Sequence, residues 1–176
     1  TPIKSSAASD VYKRQIYALL LLFSIAGTVH GNIKIDKVCV VLWGLIQASG
    51  YLQPMDTGYL LHFKNFKTLC RFQSKSIAWN VFITSIPFGL ALIASTYDQD
   101  EILFFLSYYI ATLIYAIGIS MLRHIIPSPL LLFIVQLSIL MPFYLGSLFV
   151  PFLLIPGMAL TTLLTCQTRK HLKRLL

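Results

Sequence analysis

Asp98-Gln99-Asp100-Glu101 places three carboxylates within four residues. Oxygen donors at that density could hold Mg²⁺ or Ca²⁺ beside a phosphorylated substrate. Membrane enzymes of lipid and isoprenoid metabolism that work this way use longer acidic motifs, usually in pairs. Here Asp36 and Asp56, the other acidic residues beyond position 15, stand alone. The cluster therefore reads as a solvated turn between two helices. His30, His62, His124 and His171 fall at the edges of apolar runs or between them, and none has a second histidine or carboxylate at ligand spacing. They read as surface residues. Cys39, Cys70 and Cys166 form no CxxC or Cys-His pair, so neither a metal site nor a disulfide framework is expected. With no GxSG, HExxH or GxxxxGK pattern present, the sequence points to no catalytic, cofactor-binding or metal residue.

Uncharged polar side chains inside apolar runs are the other candidates. Asn80, Tyr108, Thr112, Tyr115 and Gln136 all interrupt long apolar stretches. Positions three or four apart share a helix face, so Tyr108, Thr112 and Tyr115 form one stripe. Such residues either hydrogen-bond between membrane helices or line a substrate path, and packing is the commoner use.

These residues need elements to carry them. Of 176 residues, 57% are apolar and only 11% are charged, with a net charge of +8. An ordinary soluble domain has about a quarter charged residues. That excludes a typical soluble enzyme and a disordered chain, and the clustering of the basic residues between uncharged runs excludes a nucleic-acid-binding face. Residues 77–96, 102–122 and 125–168 contain no Asp, Glu, Lys or Arg. A helix needs about 20 apolar residues to cross a bilayer core about 30 Å thick, so the last run is long enough for a two-helix hairpin. Its turn is expected at Gly146-Ser147, among Pro142, Pro151 and Pro156. The predicted architecture is all-α, a polytopic transmembrane bundle with about six spans at 16–30, 38–52, 77–97, 102–122, 128–146 and 148–166. Residues 5–15, Ser-Ser-Ala-Ala-Ser-Asp-Val-Tyr-Lys-Arg-Gln, look like translated sequencing adapter of the kind found at the ends of metagenomic gene fragments. Residues 1–15 are accordingly expected to be non-native, and 16–176 to form one domain.

Orientation follows from the loops. Lys64, Lys67, Arg71, Lys75, Arg123, Arg169, Lys170, Lys173 and Arg174 fall on one side, whereas only Lys34 and Lys37 fall on the other with the acidic turn. The positive-inside rule then places both termini in the cytoplasm. Tyr51, Trp79, Tyr97 and Tyr144 fall near the resulting interfaces, as an aromatic belt would. Between the second and third spans, residues 58–75 alternate apolar and basic positions at helical spacing. Lys64, Lys67, Arg71 and Lys75 lie within about 80° of one another at 100° per residue. An amphipathic helix lying in the cytoplasmic interface is predicted there, contacting anionic headgroups or a partner.

Six spans with both ends inside, the basic helix before the third span, and a closing hairpin followed by Arg169-Lys170-His171-Leu172-Lys173-Arg174 resemble the membrane subunit of exporter-type ABC transporters. The stretch 71–88, from Arg71-Phe72-Gln73 to Ile86-Pro87-Phe88, is also similar to segments of bacterial permease-like proteins. The resemblance implies a permease subunit of the bacterial inner membrane that exports an undefined substrate with a separate ATP-binding subunit. Membrane lipids are the other expected partners, a homo-oligomer is compatible with this reading, and no nucleic acid or cofactor is expected. Two alternatives come from other classes: a membrane enzyme of lipid or isoprenoid metabolism built on Asp98, Asp100 and Glu101, and an assembly or anchoring protein whose work is helix packing.

The topology predicts opposite labelling of two single cysteines in a cysteine-free background. Gln99→Cys should react with an impermeant thiol reagent on intact cells, and Leu176→Cys only after the cells are opened. Labelling of both from outside would overturn the even number of spans.

Overall fold

The computed structural model describes residues 2–51, 66–95, 98–126, 128–149 and 154–175, and among them it contains helices and no strand. In chain order these are α1 (Pro2–Val29), α2 (Ile33–Ser49), α3 (Phe66–Ser95), α4 (Gln99–Ile125), α5 (Pro129–Val135), a π-helical turn at Gln136–Leu140, α6 (Met141–Phe149) and α7 (Leu154–Leu175). Two of them, α3 and α4, are long and apolar enough to cross a membrane.

Local chemistry explains most of the boundaries. α1 reverses into α2 at Gly31, whose φ of 64° is one that other residues avoid. Gly31 N–H donates to Thr28 O and Asn32 N–H donates to Gly27 O, at 3.1 and 2.8 Å, which satisfies carbonyls at the end of α1. Asp98 caps α4 by accepting from Asp100 N–H. Asp100 and Glu101 in the first turn and Arg123 in the last complement the helix macrodipole. Ser128 caps α5 in the same way, with Pro129 at the position where a missing N–H costs nothing.

Helix α4 is central. It packs against α2, α3 and α7, and also against the α5–α6 segment. α1 lies against α2 and α3, held by two long-range bonds: Tyr17 Oη donates to Thr84 O, and Thr28 Oγ1 donates to Ala91 O. Between α1, α2 and α3 the Phe88 ring packs tilted against Trp43 and edge-to-face against Tyr17, with centroids 5.9 and 5.7 Å apart. α7 is tied to α4 where Thr168 Oγ1 donates to Met121 O.

Several boundaries differ from the sequence expectation. The interfacial helix at 58–75 and the span at 77–97 were expected as separate elements, yet α3 runs unbroken from Phe66 to Ser95. Nothing between Phe66 and Ile86 lacks an amide N–H or a Cβ, so the backbone ladder continues through Lys75. Lys64 and the rest of 58–65 lie outside the described residues. α2 begins at Ile33 rather than at residue 38, and α1 is already helical before Ile16. Gly146-Ser147 is not a turn but lies within α6. The irregularity occurs earlier, in the π-helical turn, where Met141 N–H reaches back five residues to Gln136 O. Pro142 follows directly and has no N–H for the carbonyl four residues before it, so an extra residue in the turn ahead of it is where the ladder yields.

One close approach governs how α2, α4 and α6 meet. A Cβ on Gly44 would coincide with the Tyr144 hydroxyl and lie 2.7 Å from Thr112 Oγ1. Gly44→Ala should therefore destabilise the detergent-solubilised protein by about 1–3 kcal/mol, the usual cost of overpacking a tight core. Gly157→Ala is the control, because its Cβ would meet Ile114 at an ordinary 3.6 Å. Thermal unfolding should separate the two variants, and equal effects would contradict the notch at Gly44.

Candidate functional site

The buried face of α4 carries polar groups from end to end, and each meets a partner on another helix. At the N-terminal end Glu101 pairs with Lys37 of α2 at 2.7 Å, with Lys37 also 5.2 Å from the centre of the Phe104 ring. Two turns on, Tyr108 Oη donates to Val41 O of α2 at 3.5 Å. Thr112 Oγ1 and Tyr144 Oη of α6 share a hydrogen bond of 3.1 Å. Tyr115 Oη accepts from Gln136 Nε2 at 3.0 Å, and the Tyr115 ring stacks on Tyr144 with centroids 4.9 Å apart. Near the C-terminal end Ser120 Oγ donates to Gln73 Oε1 of α3, and the Gln73 amide meets His124 Nε2 through its Nε2 at 3.1 Å.

The sequence had singled out Tyr108, Thr112, Tyr115 and Gln136, and the structure brings these four together in one cluster. Helical spacing explains the first three. Gln136 joins them because it opens the π-helical turn, a local widening that recurs at functional positions in helices. Asn80 is not part of the cluster. It sits on the exposed side of α3 and donates to Tyr51 Oη at 3.3 Å.

Lys67, Arg71 and Lys75 form an exposed stripe along the first turns of α3, opposite buried Leu69, Gln73 and Ile77. The arrangement keeps the predicted basic face. Leu69, on the apolar side of the interfacial helix predicted at 58–75, packs inside the bundle.

Five residues were missed or misplaced by sequence reasoning. Tyr144, expected in an aromatic belt, is only 2% exposed and forms the middle of the cluster. Nothing local to Tyr144 signals this, since its place depends on the missing side chain of Gly44. His124 and Gln73 bond to each other across α3 and α4, so His124 is not the surface residue expected. Asp36 is fully buried inside α2, where Oδ1 accepts from Ser24 Oγ at 3.1 Å. Its burial follows from α2 starting five residues before the expected span. Glu101, expected in a solvated turn, instead has a largely covered side chain and an ion-pair partner.

The uncharged groups can hydrogen-bond a polar solute if the helices part, or lock the helices together if they do not. Among the described residues no group of three His, Cys, Asp or Glu side chains could hold a metal ion.

A double-mutant cycle tests the central contact. Thr112→Val and Tyr144→Phe should couple by about 0.6 kcal/mol and by no more than about 1.7, the average and the maximum found for hydrogen bonds between membrane helices. Additive effects in thermal unfolding would show that the two hydroxyls do not bond.

No family model, characterised protein or solved structure matches the chain.

Proposed function

We propose that the chain is a multi-pass helical protein of the cell membrane, working as the permease subunit of a transport system with a separate ATPase. Its closed pathway would follow the polar seam of α4. The observation that supports this reading is an inversion of polarity. Leu22, Trp79, Leu90, Leu103 and Leu130 are each more than 60% exposed, whereas Asp36, Thr112, Ser120 and Thr168 are wholly buried. Water would penalise that outer surface, and a lipid environment would not. Small and hydroxylated side chains between helices suit a membrane bundle, where burial of apolar groups gives no net drive to association.

The length of the seam fits the same environment. From Glu101 to His124 a helix rises about 35 Å at about 1.5 Å per residue, close to the thickness of a bilayer core at about 30 Å. A pathway must cross the whole core, and these groups are spaced along it. The exposed stripe of Lys67, Arg71 and Lys75 would lie at the cytoplasmic end of α3, available to anionic headgroups or to the ATPase. The same hydrogen bonds would serve an assembly or anchoring protein if the seam never opens.

Accessibility of the seam distinguishes the two. In a cysteine-free background, Thr112→Cys should react with a small aqueous thiol reagent in inverted membrane vesicles containing native partners. The rate should change at least severalfold on addition of ATP. Complete protection with and without ATP would reject the pathway and leave packing as the role of the seam.

A further inference from the structure

We propose that a groove between α1 and α2 is a binding site for one anionic phospholipid, with an acyl chain along its floor and the phosphate at Lys34. This rests on the membrane reading above and adds a ligand to it. The groove has a volume of about 440 Å³ and apolar walls from Leu19, Leu20 and Phe23 of α1 and Val38 and Leu42 of α2. Asn32 and Lys34 line the end nearest the α1–α2 turn. The apolar and polar parts are thus separated along one axis, as they are in a lipid.

Dimensions and charge identify the occupant. From Asn32 to Leu42 α2 rises about 15 Å, half of a bilayer core about 30 Å thick and so the depth of one leaflet. A chain of that length fits an acyl tail inserted from the membrane surface. Of the two lysines on this side of the bundle, Lys37 is neutralised by Glu101 at 2.7 Å. Lys34 makes no ion pair among the described residues, and it is the one that lines the groove. An amide from Asn32 beside a free ammonium group suits a phosphate oxygen, and a zwitterionic headgroup would gain less from the same site.

The test is native mass spectrometry of the full chain in mild detergent, titrated with phosphatidylglycerol or phosphatidylcholine carrying the same acyl chains. Phosphatidylglycerol should bind about fivefold more tightly, the factor that corresponds to about 1 kcal/mol for one basic group near an anionic headgroup. Lys34→Gln should abolish that preference while leaving phosphatidylcholine binding unchanged. Val38→Trp, which fills the groove from an exposed position, should weaken both lipids, and Leu90→Trp on the exposed face of α3 should weaken neither. Equal binding of the two lipids by the unmodified chain, or unchanged binding by Val38→Trp, would overturn the proposal. So would a lipid-free dimer that Val38→Trp dissociates, because a second copy would then fill the groove. Release of the chain from membranes by alkaline carbonate would remove the membrane reading itself, whereas a retained chain with no headgroup preference removes the lipid site alone.

Discussion

A helix whose interior face is polar can be stable in an apolar bundle only if its side chains find partners on the neighbouring helices, because an unpaired polar group has no water to turn to. α4 satisfies that requirement with one partner after another: Lys37, the Val41 carbonyl, Tyr144, Gln136 and Gln73. Those partners belong to α2, α6, the π-helical turn and α3, so satisfying α4 fixes the place of these elements. The bundle is organised around this helix, and Trp43, Phe88 and Ile119 belong to the one buried apolar core that the bundle encloses.

Two local irregularities follow from the same constraint. Tyr144 can reach Thr112 only because residue 44 has no side chain, which turns a glycine in α2 into part of a site on α4 and α6. Gln136 can reach Tyr115 from a turn widened to π-helical spacing, next to a proline that cannot complete the α-helical ladder. In both cases a backbone feature on one helix supplies the room or the angle that a hydrogen bond on another helix needs.

The helical class was legible from the long uncharged runs, and the Tyr108, Thr112 and Tyr115 stripe was legible from spacing alone. The basic stripe at Lys67, Arg71 and Lys75 also shows in the sequence, because three or four residues always separate positions on one helical face. What the sequence concealed depends on distant residues or on continuity. Tyr144 looks like an interface aromatic until Gly44 is placed opposite it. Gly146-Ser147 looks like a turn because glycine and serine are poorer helix formers than alanine or leucine, yet α6 carries both within its length. Asp36 seemed to sit in a loop because its charge marked the edge of an apolar run, whereas α2 starts at Ile33 and carries it into the interior. Charge marks the edge of a hydrophobic run more reliably than the end of a helix.

The most direct test of an apolar exterior around a polar seam is electron paramagnetic resonance with nitroxide labels on α4. Labels at Leu103 and Leu106, on the exposed face, should be relaxed strongly by dissolved oxygen and weakly by a water-soluble nickel chelate when the protein is in lipid vesicles. A label at Thr112 should be immobilised and shielded from both agents. Strong relaxation by the nickel chelate at Leu103 and Leu106 would place that face in water and contradict the account at its base.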